Sequence, residues 1–320
     1  MDDQLSITDD SDDRLDPYPE PGDGSLGAFR TGAVSPRDLL ALTDLDRTAL
    51  ATFRRDWPAL PDATREEIVR QLEVISEQRV EVDFGRVLRV ALEDPSAAVR
   101  QLAISALWED EDSDLRETLI DLAADDPSED VRAEAFGALA RFSVIHAVDE
   151  QRDRLLPLLV GAIDLDQPYT IRRRALEALG PFADDDQVRL AILDAFDDGD
   201  DGMRASALNA MALSGMAEWL PYAMDDLASP EPLLRFEAAR AIGNVGGEAQ
   251  VGDLYEAMEG EEDVEVRHAI IGAIGSIGGR AGLQALRRLH QMAEEADVEA
   301  IDDAIAEALM IGDLYDSGLN

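Results

Sequence analysis

Histidines, glycine-rich turns and clustered carboxylates are where chemistry would show in this sequence. Histidine occurs only at 146, 268 and 290, and no Ser-His-Asp spacing anchors a nucleophile to a base. There is no cysteine, which removes disulfides, thiolate nucleophiles and cysteine-based zinc or iron–sulfur sites. Asp197 to Gly202 opens like a calcium loop, but Gly199 fills the third position and Leu208 the twelfth, where a bidentate Glu is needed. It reads as a solvated turn. Gly22-Asp23-Gly24-Ser25-Leu26-Gly27 fits a dinucleotide-loop string, yet that loop must follow a strand and open a helix, and here Pro17, Pro19 and Pro21 precede it. No catalytic residue, metal or cofactor is assigned.

Arginine is different, because it recurs with a period. An apolar residue, Arg, two residues, usually Ala, two residues, then Ala-Leu or a close variant appears around Arg100, Arg132, Arg172, Arg204, Arg235 and Arg267. The arginines are separated by 32, 40, 32, 31 and 32 residues. Apolar positions at −1, +3, +4, +6 and +7 fall on one side of a helix, so each phrase predicts an amphipathic helix. Asp94-Pro95, Asp126-Pro127, Gln167-Pro168 and Ser229-Pro230 precede four of them as turn signals, the first residue placed to cap and the proline to enter the first turn. A second apolar-periodic stretch lies between turns, for example Leu155 to Ile163 or Val251 to Met258. Two antiparallel helices per period follow.

With an Asp six residues before the Arg, the phrase resembles the HEAT repeat, especially the short HEAT-like variety named after phycobilisome lyases, over about Val82 to Gly312. The resemblance implies an all-α chain: a right-handed α-α superhelix, or HEAT-like solenoid, of about seven helix pairs with N-terminal capping helices. It also implies an Asp–Arg ladder linking successive repeats, with matching pairs Asp94/Arg100, Asp126/Arg132, Asp166/Arg172 and Asp198/Arg204. Ser229 precedes Arg235 and Glu261 precedes Arg267, so a weaker ladder is expected toward the C-terminus. The arginines are read as this ladder and not as an anion site. In Arg172-Arg173-Arg174 the three side chains spread over more than half the helix circumference, so no single patch is expected. Related deoxyhypusine hydroxylases hold iron with His-Glu pairs. No histidine here precedes a glutamate, so those ligands have no counterpart. The expected function is a non-catalytic scaffold that binds protein through its concave surface, and the alternative is an enzyme of the bilin-lyase-like or deoxyhypusine-hydroxylase-like group, without the His-Glu ligands of the latter.

The domain reading is an acidic disordered tail at 1–34, capping helices at 35–81, the solenoid at 82–312 and a short tail at 313–320. Ser35-Pro36 starts a predicted helix to Leu50, and Asp62 to Val80 predicts another. Ala296 to Leu309 reads as a degenerate second helix without the Arg, and the 40-residue spacing puts extra length around Ser143 to Arg154.

The net charge is −42 and every one of the 28 cations is an arginine. Such a surface repels nucleic acid and anionic lipid, and it suits a basic protein or peptide partner. Self-repulsion of this size is best tolerated in a salt-rich cytoplasm, where the Debye length falls toward about 3 Å. A general bias of the genome toward arginine and acidic residues explains the composition equally well. No apolar run reaches the roughly 18 residues of a membrane helix. A cytoplasmic monomer is expected.

Positions +1, +5 and +8 from each Arg point away from the core, on the side that lines the concave surface in HEAT arrays. Across six copies only Glu177 is acidic there, where 70 acidic residues in 320 would put about four by proportion. Depletion of charge around aromatics and arginine is what an interface core looks like, and the candidate partner-binding residues are Trp108, Arg173, Phe236, Arg240 and His268. Gly and Ala at these positions would equally serve close packing of neighbouring helices. Both readings stand on sequence alone.

Overall fold

The periodic apolar positions do become a core. In the computed structural model, which describes residues 20–32, 34–145 and 149–316, the residues at −1, +3, +4 and +7 from Arg132, Arg172, Arg204, Arg235 and Arg267 are all buried, none above 7% exposed. The chain is all-α, with no strand among the described residues. It divides into two compact units between Leu115 and Arg116.

In the N-terminal unit, α1 (Pro36–Leu40), α2 (Arg47–Asp56), α3 (Asp62–Gln78), α4 (Gly85–Ala91) and α5 (Ala97–Ala106) follow in order. The predicted helix from Ser35 to Leu50 is broken in two. Asp44 takes a left-handed φ of 46°, and the Asp46 carboxylate caps α2 by accepting from the backbone N–H of Thr48 and Ala49 at 2.8 Å each. Helix α3 packs on α5 and α2 on α4, as the helices of successive repeats stack.

Residues 22–32 also depart from the expected tail, whose first nineteen residues lie outside the described ones. Leu26 and Phe29 are each 1% exposed, and the Gly22 N–H donates to Ala41 O at 2.7 Å. Gly24 sits at φ 75°, where a Cβ would come within 1.9 Å of Ala49 O. The glycines of the would-be nucleotide loop serve this close backbone approach, and the two apolar side chains supply the burial that offsets ordering.

In the C-terminal unit the helices are α6 (Ser113–Asp125, which straddles the boundary), α7 (Glu129–Ile145), α8 (Asp149–Ala162), α9 (Tyr169–Leu179), α10 (Asp186–Asp198), α11 (Asp201–Ser214), α12 (Leu220–Asp226), α13 (Pro232–Val245), α14 (Val251–Ala257), α15 (Val264–Ile277), α16 (Gly279–His290) and α17 (Val298–Asp316). The second helices α7, α9, α11, α13, α15 and α17 pack each on the next, backed by the intervening first helices, which is the one-dimensional stacking of a solenoid. The extra length before Arg172 extends α7 and α8 on either side of residues 146–148, which lie outside the described residues with His146. Helix α17 continues to Asp316, so the expected tail from 313 begins inside a helix. Among the described residues no helix is long and apolar enough to cross a membrane.

Candidate functional site

The arginines do join successive repeats, but in a register the sequence does not reveal. In the N-terminal unit Asp94 receives Arg65 of the preceding repeat, Nε to Oδ2 at 2.7 Å and Nη2 to Oδ1 at 3.0 Å, together with the Trp57 indole N–H at 2.7 Å. Arg100, the expected partner of Asp94, donates instead to the backbone carbonyl of Asp94 at 2.8 Å. Arg132 treats the Asp126 carbonyl the same way at 2.7 Å, and Arg235 the Ser229 carbonyl at 2.9 Å. The geometry explains the division. A guanidinium has five donors in a fixed fork, so in Arg235 Nη1 holds its own turn while Nε and Nη2 reach Glu261 of the next repeat.

Three such links follow in the C-terminal unit. Arg204 meets Asp226 at 2.6 and 3.0 Å, Arg235 meets Glu261 at 2.7 and 2.8 Å, and Arg267 meets Asp297 at 3.0 and 3.2 Å. The ladder therefore does not weaken toward the C-terminus. Where Ser229 replaces the aspartate, Asp226 at the end of α12 takes over, and Glu261 serves Arg235 across the repeat boundary. The Asp198 side chain lies outside the described residues, and Arg204 uses the Phe196 carbonyl at 3.1 Å. Asp166 is exposed, no ion pair joins it to Arg172, and Arg172 Nε is buried without a partner among the described residues. The turn residues also shift: Ser96 and Glu231, not Asp94 and Ser229, stand at the N-cap positions, and Asp94 Oδ1 accepts from Ser96 N–H at 2.8 Å.

The five candidate contact residues do not share one surroundings. Trp108, 49% exposed, follows α5 in the N-terminal unit beside acidic residues that hold Arg89, from Asp110 at 2.7 Å and from Asp112 at 2.8 Å. Arg173, Phe236, Arg240 and His268 lie on second helices of the C-terminal unit. His268 is drawn into the ladder, its Nε2 3.1 Å from Ala296 O and 3.2 Å from Asp297.

The +8 glycines of the strip are helix packing. A Cβ on Gly180 would meet Ala210 O at 2.4 Å, on Gly243 the Ala273 Cα at 2.9 Å, and on Gly275 the Ala304 Cβ at 2.9 Å. Ala205 and Ala212 are buried as well. What remains open is a polar cluster across α9, α11 and α13. Arg173 Nε donates to Ser206 Oγ at 3.0 Å, Ser206 donates to Glu177 at 2.7 Å, and Arg174 meets Glu177 at 3.0 Å. Three residues along α11, Asn209 donates to Glu237 at 3.4 Å, and Arg240 meets Glu237 at 3.1 Å. Arg173 and Arg174 thus converge on one carboxylate, contrary to the expected divergence, because long side chains at i, i+3 and i, i+4 can reach a shared partner. Tyr169 lies under Arg173 at 6.0 Å and Phe236 under Arg240 at 5.7 Å.

Arg174, Ser206 and Glu237 all sit at +2 from their ladder arginines, a row that turns toward the same face and that the +1, +5, +8 reading leaves out. Burial pushes the Glu237 carboxyl above its usual range, with Glu177 adding to the shift and Arg240 and Asn209 opposing it. Asp200 caps α11 through Met203 N–H and accepts the Tyr169 hydroxyl at 2.6 Å, which holds its carboxyl low. Among the described residues no group of His, Asp and Glu is placed to hold a metal ion.

The pattern described as HEAT repeats matches residues 86–180 and 225–310, more than half of the chain. A HEAT repeat-containing taxis protein of Halobacterium salinarum is 29% identical over 135 residues, 36% of this chain and 33% of that relative, so the chain spans about a third of the relative's length. Among solved structures, the CpcE–CpcF complex of phycocyanin lyase from Nostoc is similar with a TM-score of 0.46 at 18% identity, over 70% of this chain and 94% of that one. Human deoxyhypusine hydroxylase gives 0.35 at 20% identity, over 82% and 96%.

Proposed function

The chain belongs to the HEAT-repeat family, and from that premise we propose that it is a non-catalytic scaffold, a cytoplasmic monomer, that binds another protein through the second-helix face of its C-terminal unit. One observation carries this reading. Arg173, Arg174 and Tyr169 on α9 and Phe236 and Arg240 on α13 flank α11, which is the Arg and aromatic composition that dominates interface energetics. The cluster is tied together by its own hydrogen bonds, so its side chains lose little freedom when a partner arrives. The taxis protein among its relatives supports a signalling setting for such a scaffold.

Capture from native lysate tests the proposal. Arg173→Gln, Phe236→Ala and Arg240→Gln together should remove at least one protein that the unaltered chain retains, with the helical circular dichroism signal unchanged. An identical set of captured proteins would rule the face out. The net charge of −42 favours basic partners at long range. At contact, the sign accepted is set by the groups on the face itself.

A further inference from the structure

Within the cluster on α9, α11 and α13, cations and anions are not equally presented. The side chains of Arg173, Arg174 and Arg240 are 33, 53 and 46% exposed, whereas those of Glu177 and Glu237 are 13 and 14% exposed. Glu177 already accepts from Ser206 and Arg174, and Glu237 from Asn209 and Arg240. Each arginine, by contrast, is hydrogen-bonded through a single nitrogen among the described residues, Nε in Arg173 and Nη1 in the other two. Since a guanidinium carries five N–H donors, most of that capacity faces outward. Three cations stand proud of two recessed anions, and the further carboxylate beside Tyr169, Asp200, already accepts from the Tyr169 hydroxyl and the Met203 N–H, so the unused polar groups of this face are chiefly guanidinium donors, in a chain whose net charge is −42.

We infer that this face receives an acidic peptide segment of a partner protein, its Asp or Glu side chains on Arg173, Arg174 and Arg240 and an apolar residue between them against Tyr169 and Phe236. The inference rests on the proposed reading of the face as a protein-binding surface. Carboxylates match the planar fork of arginine, and the guanidinium carbons of Arg173 and Arg240 lie 6.0 and 5.7 Å from the Tyr169 and Phe236 ring centroids. A polyphosphate chain would offer the same anionic chemistry, but it carries continuous charge toward a strongly acidic molecule and brings nothing apolar to the rings. Salt acts in an unusual direction here. The long-range repulsion between an acidic segment and the chain is screened at about 2 M KCl, where the Debye length is a few ångströms, while contacts near 3 Å persist. Affinity should therefore be higher at about 2 M KCl than at about 0.1 M.

A displayed random library of peptides, about a dozen residues long, selected on the full chain at about 2 M KCl, tests this. Enriched peptides should carry Asp or Glu around an aromatic or aliphatic residue. Their affinity, read by fluorescence anisotropy, should fall about tenfold or more in Arg173→Gln/Arg240→Gln and stay unchanged in Arg280→Gln, an exposed arginine of α16. Basic or neutral peptides that Phe236→Ala releases would overturn the inference while leaving the binding face intact. Acidic peptides indifferent to the two arginine changes would overturn it as well, and so would single-stranded DNA that competes for the face. No enrichment at all would sink both the inference and the proposed function.

Discussion

Arg65 and Asp94, twenty-nine residues apart, are joined edge to edge at 2.7 and 3.0 Å with side chains only 3% and 0% exposed. An ion pair so far from water is held by a complete set of bonds: Leu60 O and Asp62 complete the guanidinium, Trp57 and the Ser96 N–H the carboxylate. Removing one member leaves the other buried and uncompensated. Asp94→Ala should therefore destabilise the N-terminal unit by about 3–5 kcal/mol in urea unfolding, and adding Arg65→Met should restore a measurable part of it.

Two glutamates should respond to pH with opposite signs. The Arg235 guanidinium holds the Glu261 carboxyl below its usual range, so its contribution to stability is present above the unfolded value near pH 4.3 and is lost as the pH falls through the folded one. Glu261→Gln should lower the melting temperature at pH 7, with the gap closing in acid. Glu237 is pushed up by burial, so its ionisation weighs against the folded state at neutral pH. Glu237→Gln should raise the melting temperature at pH 7, and the unaltered chain should catch up as the pH falls.

Two glycines of the second-helix face should separate packing from open surface. At Gly243 a Cβ would lie 2.9 Å from Ala273 Cα and 3.0 Å from its Cβ, so Gly243→Ala should cost about 1–3 kcal/mol by forcing α13 away from α15. At Gly272, in the middle of α15, nothing lies within 4 Å, and Gly272→Ala should stabilise by about 0.5–1 kcal/mol. Chemical denaturation of the two variants checks both signs.

A charge of −42 on 320 residues makes screening a stability term. Thermal unfolding at about 0.1 M and about 2 M KCl should show a clearly higher melting temperature in the concentrated salt.

The helical array was legible because its core positions repeat at a 3.6-residue period, and every one of the −1, +3, +4 and +7 residues that the phrase marks in α9 through α15 is buried. The partners of the ladder were not. Arg204 finds Asp226 22 residues on and Arg235 finds Glu261 26 residues on, so the acceptor belongs to the next repeat and its offset varies with helix length. The phrase is masked at Arg65 because Gln71-Leu72 replaces the usual Ala-Leu, although Ile68 and Leu72 keep its apolar spacing. Leu26 and Phe29 were hidden among Asp, Gly and Pro, where two anchors decide packing that composition alone disfavours. The contact strip was half legible: the +8 glycines are close helix approaches, while the +2 row holding Arg174, Ser206 and Glu237 becomes visible only once three helices stand side by side.

Photocrosslinking tests the central claim most directly. A photoreactive phenylalanine analogue placed at Phe236, on the second-helix face, and separately at Leu190, 60% exposed on the first helix α10, reports which side of the C-terminal unit a captured partner touches. Crosslinks from position 236 and none from position 190 are predicted. Crosslinks from position 190 alone would contradict the account.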